Sequence, residues 1–291
     1  MPLLRLLRKW HWKENLKHRD IASRLKIPRS TVTRWFHYFN IPTQPGSRFT
    51  NLNLLNMGPR KTPPAKPKTS KPRPWKVREE FFETWTGEMA YILGFFCADG
   101  TLTVNPRGSR YLALQISDRG LLLKIKACFG IGHKLSLKRH RTANWKDAWR
   151  IQIGSKRIFN RFIELGITPQ KAYRLRMPVV PKEYAADFIR GYFDGDGGAW
   201  FGYVHKNDRK MPTKALVTTF TSCSNGMLMD VALMLSRLAG VRLKQPRFSG
   251  KAFRIFYSTW DSRKIYQFIY HTKTNLYLAR KKVVFEKYLG T

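Results

Sequence analysis

The sequence predicts an α+β protein: a duplicated α-β-β-α-β-β-α unit, preceded by a small all-α segment. Three observations carry this. The segment YILGFFCADG, ending at Gly100, returns as FIRGYFDGDG, ending at Gly197. The chain downstream of each copy has the same order of patterns. A proline-rich, acid-free stretch separates both copies from the chain's beginning.

After Gly100 come the short strand-like runs TLTV and YLALQIS, the helical run RGLLLKIKACFG, two more strands (HKLSLKR, WRIQIGS) and the helix SKRIFNRFIELGI. After Gly197 come GAWFGYV and ALVTTFTS, then NGMLMDVALMLSRLAG, then VRLKQPRF and AFRIFYS, then DSRKIYQFIYH. Period-two alternation marks the strands, and i, i+3/i+4 apolar spacing marks the helices. The halves are bounded as 79–180 and 181–291. Residues 41–78 hold eight of the sixteen prolines and no Asp or Glu. Proline removes backbone donors and favours extended chain, so this stretch is not a packed domain. It is either a solvated spacer or an arm along a DNA groove, with Arg60, Lys61, Lys66, Lys68, Lys71 and Arg73 on phosphates.

Residues 1–40 are expected to contain a helix-turn-helix within RDIASRLKIPRSTVTRWFHYFNIP. Ile21, Ala22 and Leu25 make one apolar face, Ile27 and Pro28 fill the turn, and Val32, Trp35, Phe36 and Phe39 line the second helix. Arg29, Ser30, Thr31 and Arg34 are left on the exposed N-terminal part of that helix, the end that meets base edges in this motif. The plainer alternative is a small helical cap. The stretch is similar to the helix-turn-helix of resolvase-type proteins over about twenty-five residues.

The chain carries 55 Lys+Arg against 18 Asp+Glu, a net charge of +37. Such a charge repels itself unless a polyanion is the partner, which points to nucleic acid. Hydrophobic residues at 43% permit a sizeable core and exclude a disordered chain. Three cysteines without a CxxC pair argue against a disulfide framework or structural zinc, and for a reducing compartment. No apolar run is long enough for a membrane span. The start, MPLLRLLRKWHWKEN, lacks the core of a signal peptide; a transit peptide is the weaker alternative.

The paired segments carry the chemistry. Each is an apolar helix with a glycine in its middle, Gly94 or Gly191, and ends in Asp-Gly. A mid-helix glycine costs about 1 kcal/mol relative to alanine. Its use is to let another helix approach backbone to backbone. Gly100 and Gly197 are expected to take a left-handed turn that stops each helix. If the two helices pack together, Asp99 and Asp196 meet at one end. Two carboxylates at helix C-termini repel each other and oppose the helix dipole; a divalent cation relieves both penalties. Hard oxygen ligands suit Mg²⁺, an ion that supports phosphodiester cleavage.

These segments resemble the two signature helices of LAGLIDADG homing endonucleases, and the resemblance spans roughly residues 85 to 291. It implies a pseudo-symmetric monomer whose two four-stranded sheets form a saddle over the DNA major groove. It implies metal ligation by Asp99 and Asp196, joined by the carbonyls of Ala98 and Gly195, with Mg²⁺ or Mn²⁺ as cofactor. It also implies double-strand cleavage of a long, near-asymmetric target leaving short 3′ overhangs, in the service of a mobile, often intron-borne, element. Lys171 matches a lysine such enzymes carry after the last helix of half one, and Lys273 is its nearest counterpart in half two. With the polar strand residue Gln152, these would position water and stabilise charge on the phosphate. For any lysine in so basic a chain, a solvated or phosphate-touching surface group is the ordinary alternative. Two positions depart from the family pattern. Cys97 stands where an acid is common and is expected to be packing, not a thiolate. Arg190 stands where a small apolar residue is usual and must face outward or pair with an acid.

Outward strand positions would read DNA. Lys134, Ser136 and Lys138 alternate with Leu135 and Leu137; Arg150 and Gln152 with Ile151 and Ile153. Arg242 and Lys244 flank Leu243, and Arg254 lies between Phe253 and Ile255. Arg and Gln suit base edges, and Lys suits phosphate. Most of Trp145, Trp149, Trp200, Phe201 and Tyr203 are expected in the core. The leading reading is an intracellular, DNA-associated endonuclease, in a nucleoid, a phage-infected cell or an organelle matrix. The alternatives are a maturase acting on intron RNA, or a DNA-binding regulator without cleavage activity. Ribosome-like RNA binding would explain the charge but not the acid pair.

Overall fold

The computed structural model describes residues 2–14, 16–39, 41, 77–139, 147–205, 210–271 and 274–290. The chain divides into two compact units, Met1–Pro72 and Arg73–Thr291. The proposed arm, including Arg60, Lys61, Lys66, Lys68, Lys71 and Arg73, lies outside the described residues, as do Trp145 and Lys273. No described helix is long and apolar enough to cross a membrane.

In the first unit α1 (Pro2–Arg8) runs into a π-helical turn (Lys9–Lys13), followed by α2 (His18–Leu25) and α3 (Arg29–Tyr38). Asp20 anchors the start of α2 by accepting the Lys17 amide at 3.1 Å. Lys26, left-handed at φ 53°, ends it. Leu7, Ile21, Ala22, Val32, Phe36 and Ile41 are buried together, with Leu25, Ile27, Trp35 and Phe39 packed around them. The expected apolar faces are therefore the ones buried. Arg29 and Ser30 are exposed, and Thr31 and Arg34 half-buried.

The second unit contains the duplication. Half one has α4 (Gly87–Asp99), β1 (Thr101–Val104), β2 (Arg110–Ile116), α5 (Arg119–Cys128), β3 (Ser136–Lys138), β4 (Ala148–Ile153) and α6 (Lys156–Glu164). Half two has α7 (Ala185–Asp196), β5 (Gly197–Val204), β6 (Thr213–Ser222), α8 (Asn225–Ala239), β7 (Arg247–Ser249), β8 (Ala252–Tyr257) and α9 (Thr259–Ile269). A further helix, α10 (Ala279–Leu289), was not expected from the repeat. Hydroxyl and carboxylate caps start the helices: Thr86 accepts from Met89 N at 3.1 Å, Asp118 from Leu121 N at 2.8 Å, and Ser224 from Met227 N at 3.3 Å. Just ahead of half one, Val77 packs on the core and Arg78 N donates to Phe129 O at 2.9 Å.

Each half forms one antiparallel four-stranded sheet, in the orders β1-β2-β4-β3 and β5-β6-β8-β7. Leu112, Leu114, Ile116, Ile151 and Ile153 fill the inner face of the first sheet. Leu216, Phe220, Ile255 and Tyr257 do so in the second. The intervening residues of each strand face away from the core.

Between the sheets, α4 and α7 pack backbone to backbone. A Cβ on Gly94 would run into Phe188 O and lie 3.0 Å from Tyr192 N; one on Gly191 would run into Tyr91 O and lie 2.9 Å from Phe95 N. Both helices are buried almost end to end; α4 is apolar all round, whereas α7 also buries Asp187, Arg190 and Asp194. Gly100 and Gly197 correct the expectation of a left-handed stop. Both are extended, at φ −77° and −93°. Glycine is needed there because a Cβ would collide with the Phe96 or Phe193 ring.

Candidate active site

The two packed helices bring Asp99 and Asp196 to one end of their shared seam. The approach is close: a Cβ on Gly195 would strike the Ala98 methyl and lie 3.4 Å from Asp99 Oδ2. Asp196 is half-buried, and burial followed by the charge of Asp99 pushes its pKa up to about 6. Asp99 opens to solvent on one side, yet the protein around it still raises its pKa by desolvation, against the pull of Lys281, Lys171 and Arg280. The site therefore stores like-charge repulsion that a cation can relieve. Among the described residues no group of three or more His, Cys, Asp or Glu could hold a metal. The remaining ligands of any cation would be carbonyls, water and substrate oxygens, a set that suits Mg²⁺.

Two lysines close the ends of the paired helices. Lys171, in a 3₁₀ turn (Lys171–Tyr173), donates from Nζ to Cys97 O at 2.6 Å and Ala98 O at 3.2 Å. Lys281, on α10, donates to Phe193 O, Asp194 O and Gly197 O at 2.7 Å each and to Gly195 O at 3.3 Å. A cation on the last carbonyls of a helix complements its dipole. Burial lowers the pKa of Lys171, and brings that of Lys281 down to about 8. The carbonyls of Ala98 and Gly195, expected to face a metal, thus already accept lysine contacts; each retains a second lone pair. Lys281 went unnoticed in the sequence because it lies beyond the point where the repeat runs out. The ARKK run at the start of the last helix was its only signal.

Arg190 resolves as the acid-paired alternative. It is fully buried, pairs with Asp187, and donates to Leu276 O at 3.0 Å and Ile269 O at 2.8 Å. Asp194 Oδ2 accepts from Tyr91 OH and from Leu278 N, both at 2.8 Å. Burial pushes the pKa of Asp194 up to about 6. Cys97 is buried as expected, its thiol pushed up to about 12 by desolvation.

Gln152 faces outward and shares a cross-strand row with Ala113 and Thr101, two residues beyond Asp99. Arg150 and Arg254 are exposed on their outward strand positions as expected. Three expectations need correction. Lys134 precedes β3, and within the strand Leu137 is 42% exposed beside Ser136 and Lys138, because this short edge strand has no core beneath it. Arg242 and Lys244 lie on an extended segment, not a strand. Pro246 has no amide to donate, and pairing starts only at Arg247. Trp200 and Tyr203 are exposed, whereas Trp149 and Phe201 pack against the core.

The family model described as a LAGLIDADG-like domain matches residues 86–165 and 183–251, one stretch in each half. The chain belongs to the LAGLIDADG family, with two motif helices in a single polypeptide. Its fold is that of the LAGLIDADG homing endonuclease I-LtrWI, solved bound to target DNA (14% identity, 70% of this chain and 88% of that one, TM-score 0.50). I-SmaMI, bound to an uncleaved DNA target in the presence of calcium ions, is also similar (14% identity, 71% and 90%, TM-score 0.48). A curated relative is an uncharacterised protein of Methanocaldococcus jannaschii, 21% identical over 182 residues. The match takes in 61% of this chain and 52% of the relative, so the chain spans about half the relative's length.

Proposed function

We propose that this protein is a site-specific, metal-dependent DNA endonuclease that makes double-strand breaks by phosphodiester hydrolysis. The observation that carries the reading is the acid pair Asp99/Asp196, forced together by Gly94 and Gly191 and flanked by two lysines. A bound Mg²⁺ or Mn²⁺ would supply Lewis acidity to the phosphate and lower the pKa of an attacking water. Asp99 and Asp196 would hold it when ionised, with the carbonyls of Ala98 and Gly195 beside them. Lys171 spends two of its three N–H bonds on carbonyls and has one left for a phosphate oxygen. Lys281 is surrounded by four carbonyls and instead fixes the end of α7. Gln152 would orient water from the outward face of the first sheet. Lys138, Arg150 and Arg254 would meet the duplex, Lys134, Arg242 and Lys244 would reach it from the flanking segments, and Arg29, Ser30, Thr31 and Arg34 would add a second contact. Both halves of the site reside in one chain, so a monomer on a long, near-asymmetric target suffices.

A regulator or maturase without cleavage activity has no need of the repelling acid pair. The test is incubation with a library of duplex sites and Mg²⁺, followed by sequencing of the ends. Discrete double-strand ends are expected, lost in Asp99→Asn and Asp196→Asn with binding retained. Normal cutting by either variant would remove the shared-site mechanism.

A further inference from the structure

The outward faces of the two sheets differ in chemistry at matching positions. In half one the rows nearest the acids read Thr101–Ala113–Gln152 and Thr103–Tyr111. In half two the same rows read Gly198–Thr219–Phe256 and Trp200–Val217. Polar Thr103 and Gln152 thus correspond to Trp200 and Phe256, each 51% exposed. The indole lies against Gly202, where a Cβ would come within 2.8 Å of its Cη2, so the glycine leaves room for the ring along the strand.

Single exposed apolar residues are ordinary. Here Trp200 on β5, Val217 and the methyl of Thr219 on β6, and Phe256 on β8 share one face, and β5 begins directly after Asp196. The next row on that face is Thr221–Arg254–Arg247, whose exposed guanidiniums suit a polyanion. Apart from the indole N–H and the Thr219 hydroxyl, this patch offers nothing to bond base edges. What an apolar surface can recognise in a major groove is the thymine 5-methyl group.

We infer that the second sheet selects its half-site through thymine methyls packed on Trp200, Val217 and Phe256, while the first sheet reads its half-site by hydrogen bonds. This rests on the endonuclease reading, which supplies the duplex. The probe is a randomised duplex library, selected for binding in Ca²⁺. The recovered site is then remade with deoxyuridine for thymidine in one half at a time. Thymine enrichment is expected in one half, and uracil there should weaken binding roughly fourfold per methyl. Uracil in the other half should change little. The double variant Trp200→Thr, Phe256→Gln replaces surface groups with their half-one counterparts. It should melt like the parent and lose the thymine–uracil difference. Indifference to uracil in both halves, or a difference that survives in the double variant, would overturn the inference while leaving the endonuclease reading intact. Preference for single-stranded RNA would overturn it too, since bases would then be stacking on the rings. Failure to recover or cut any duplex would sink both readings.

Discussion

Lys171 and Lys281 cap equivalent carbonyls from non-equivalent places in the chain. Lys171 meets those of Cys97 and Ala98, and Lys281 those of Asp194 and Gly195, the matching positions of the two motif helices. Their surroundings differ. Lys281 is buried, whereas Lys171 is half-exposed. Lys281→Met should therefore cost about 2–4 kcal/mol, because several carbonyls lose a charged donor at once. Lys171→Met should cost about 1 kcal/mol, since water can replace it, yet it should abolish most cleavage. Urea unfolding midpoints beside single-turnover cutting rates separate the two. Equal destabilisation by both would contradict these roles.

Gly94→Ala and Gly191→Ala each place a methyl against the backbone of the facing helix. Neither can be relieved by a rotamer change, so each should cost roughly 3 kcal/mol or more. The helix ends should also part enough to spoil the acid pair. Thermal melting and cleavage should fall together, and unaltered cleavage at full stability would show that the seam is looser than described.

The acid pair also sets a pH dependence. The folded pKa of Asp196 is about 6 and that of Asp99 is raised, both above their unfolded values. The folded state therefore binds more protons than the unfolded one, and metal-free stability should fall as pH rises from about 4 through 6. Asp196→Asn should flatten that fall. Mg²⁺ should restore stability at about pH 7.5, by about 2.7 kcal/mol at a hundredfold excess over its dissociation constant, and have little effect at about pH 5. Melting curves with and without Mg²⁺ check this; an ion effect equal at both pH values would count against ligation by the acids.

Removing residues 1–72 leaves the second compact unit whole. Binding should weaken and its salt dependence should become shallower, because many cationic side chains go with the segment. Cutting of short duplexes at saturating protein should persist. Arg34→Ala in the full chain should shrink the footprint on one side only. An unchanged salt slope would show that the N-terminal unit does not touch DNA.

The duplication, the acid pair and the glycine seam were legible because each repeats: one copy of an apolar helix ending in Asp-Gly is ambiguous, and two in register are not. Strand faces were legible where a core lies beneath, as at Arg150 and Arg254. They were misread at Leu137 and Leu243, where edge segments have nothing to bury against and alternation loses its meaning. Lys281 was missed because it lies past the end of the repeat, where no matching position in half one marks it. Arg190 was only half legible, since its pairing acid, Asp187, could be recognised only once both residues lay on a buried helix turn.

Through Arg190 and Asp194, the second motif helix grips the backbone at Ile269, Leu276 and Leu278, and so holds in place the helix that carries Lys281. The first motif helix has Leu93 and Cys97 at the corresponding places and makes no such grip. The halves are therefore not interchangeable parts. A chimaera that borrows the second half must take the chain through Leu289 with it, whereas the first half can be transplanted once its own turn at Lys171 is included.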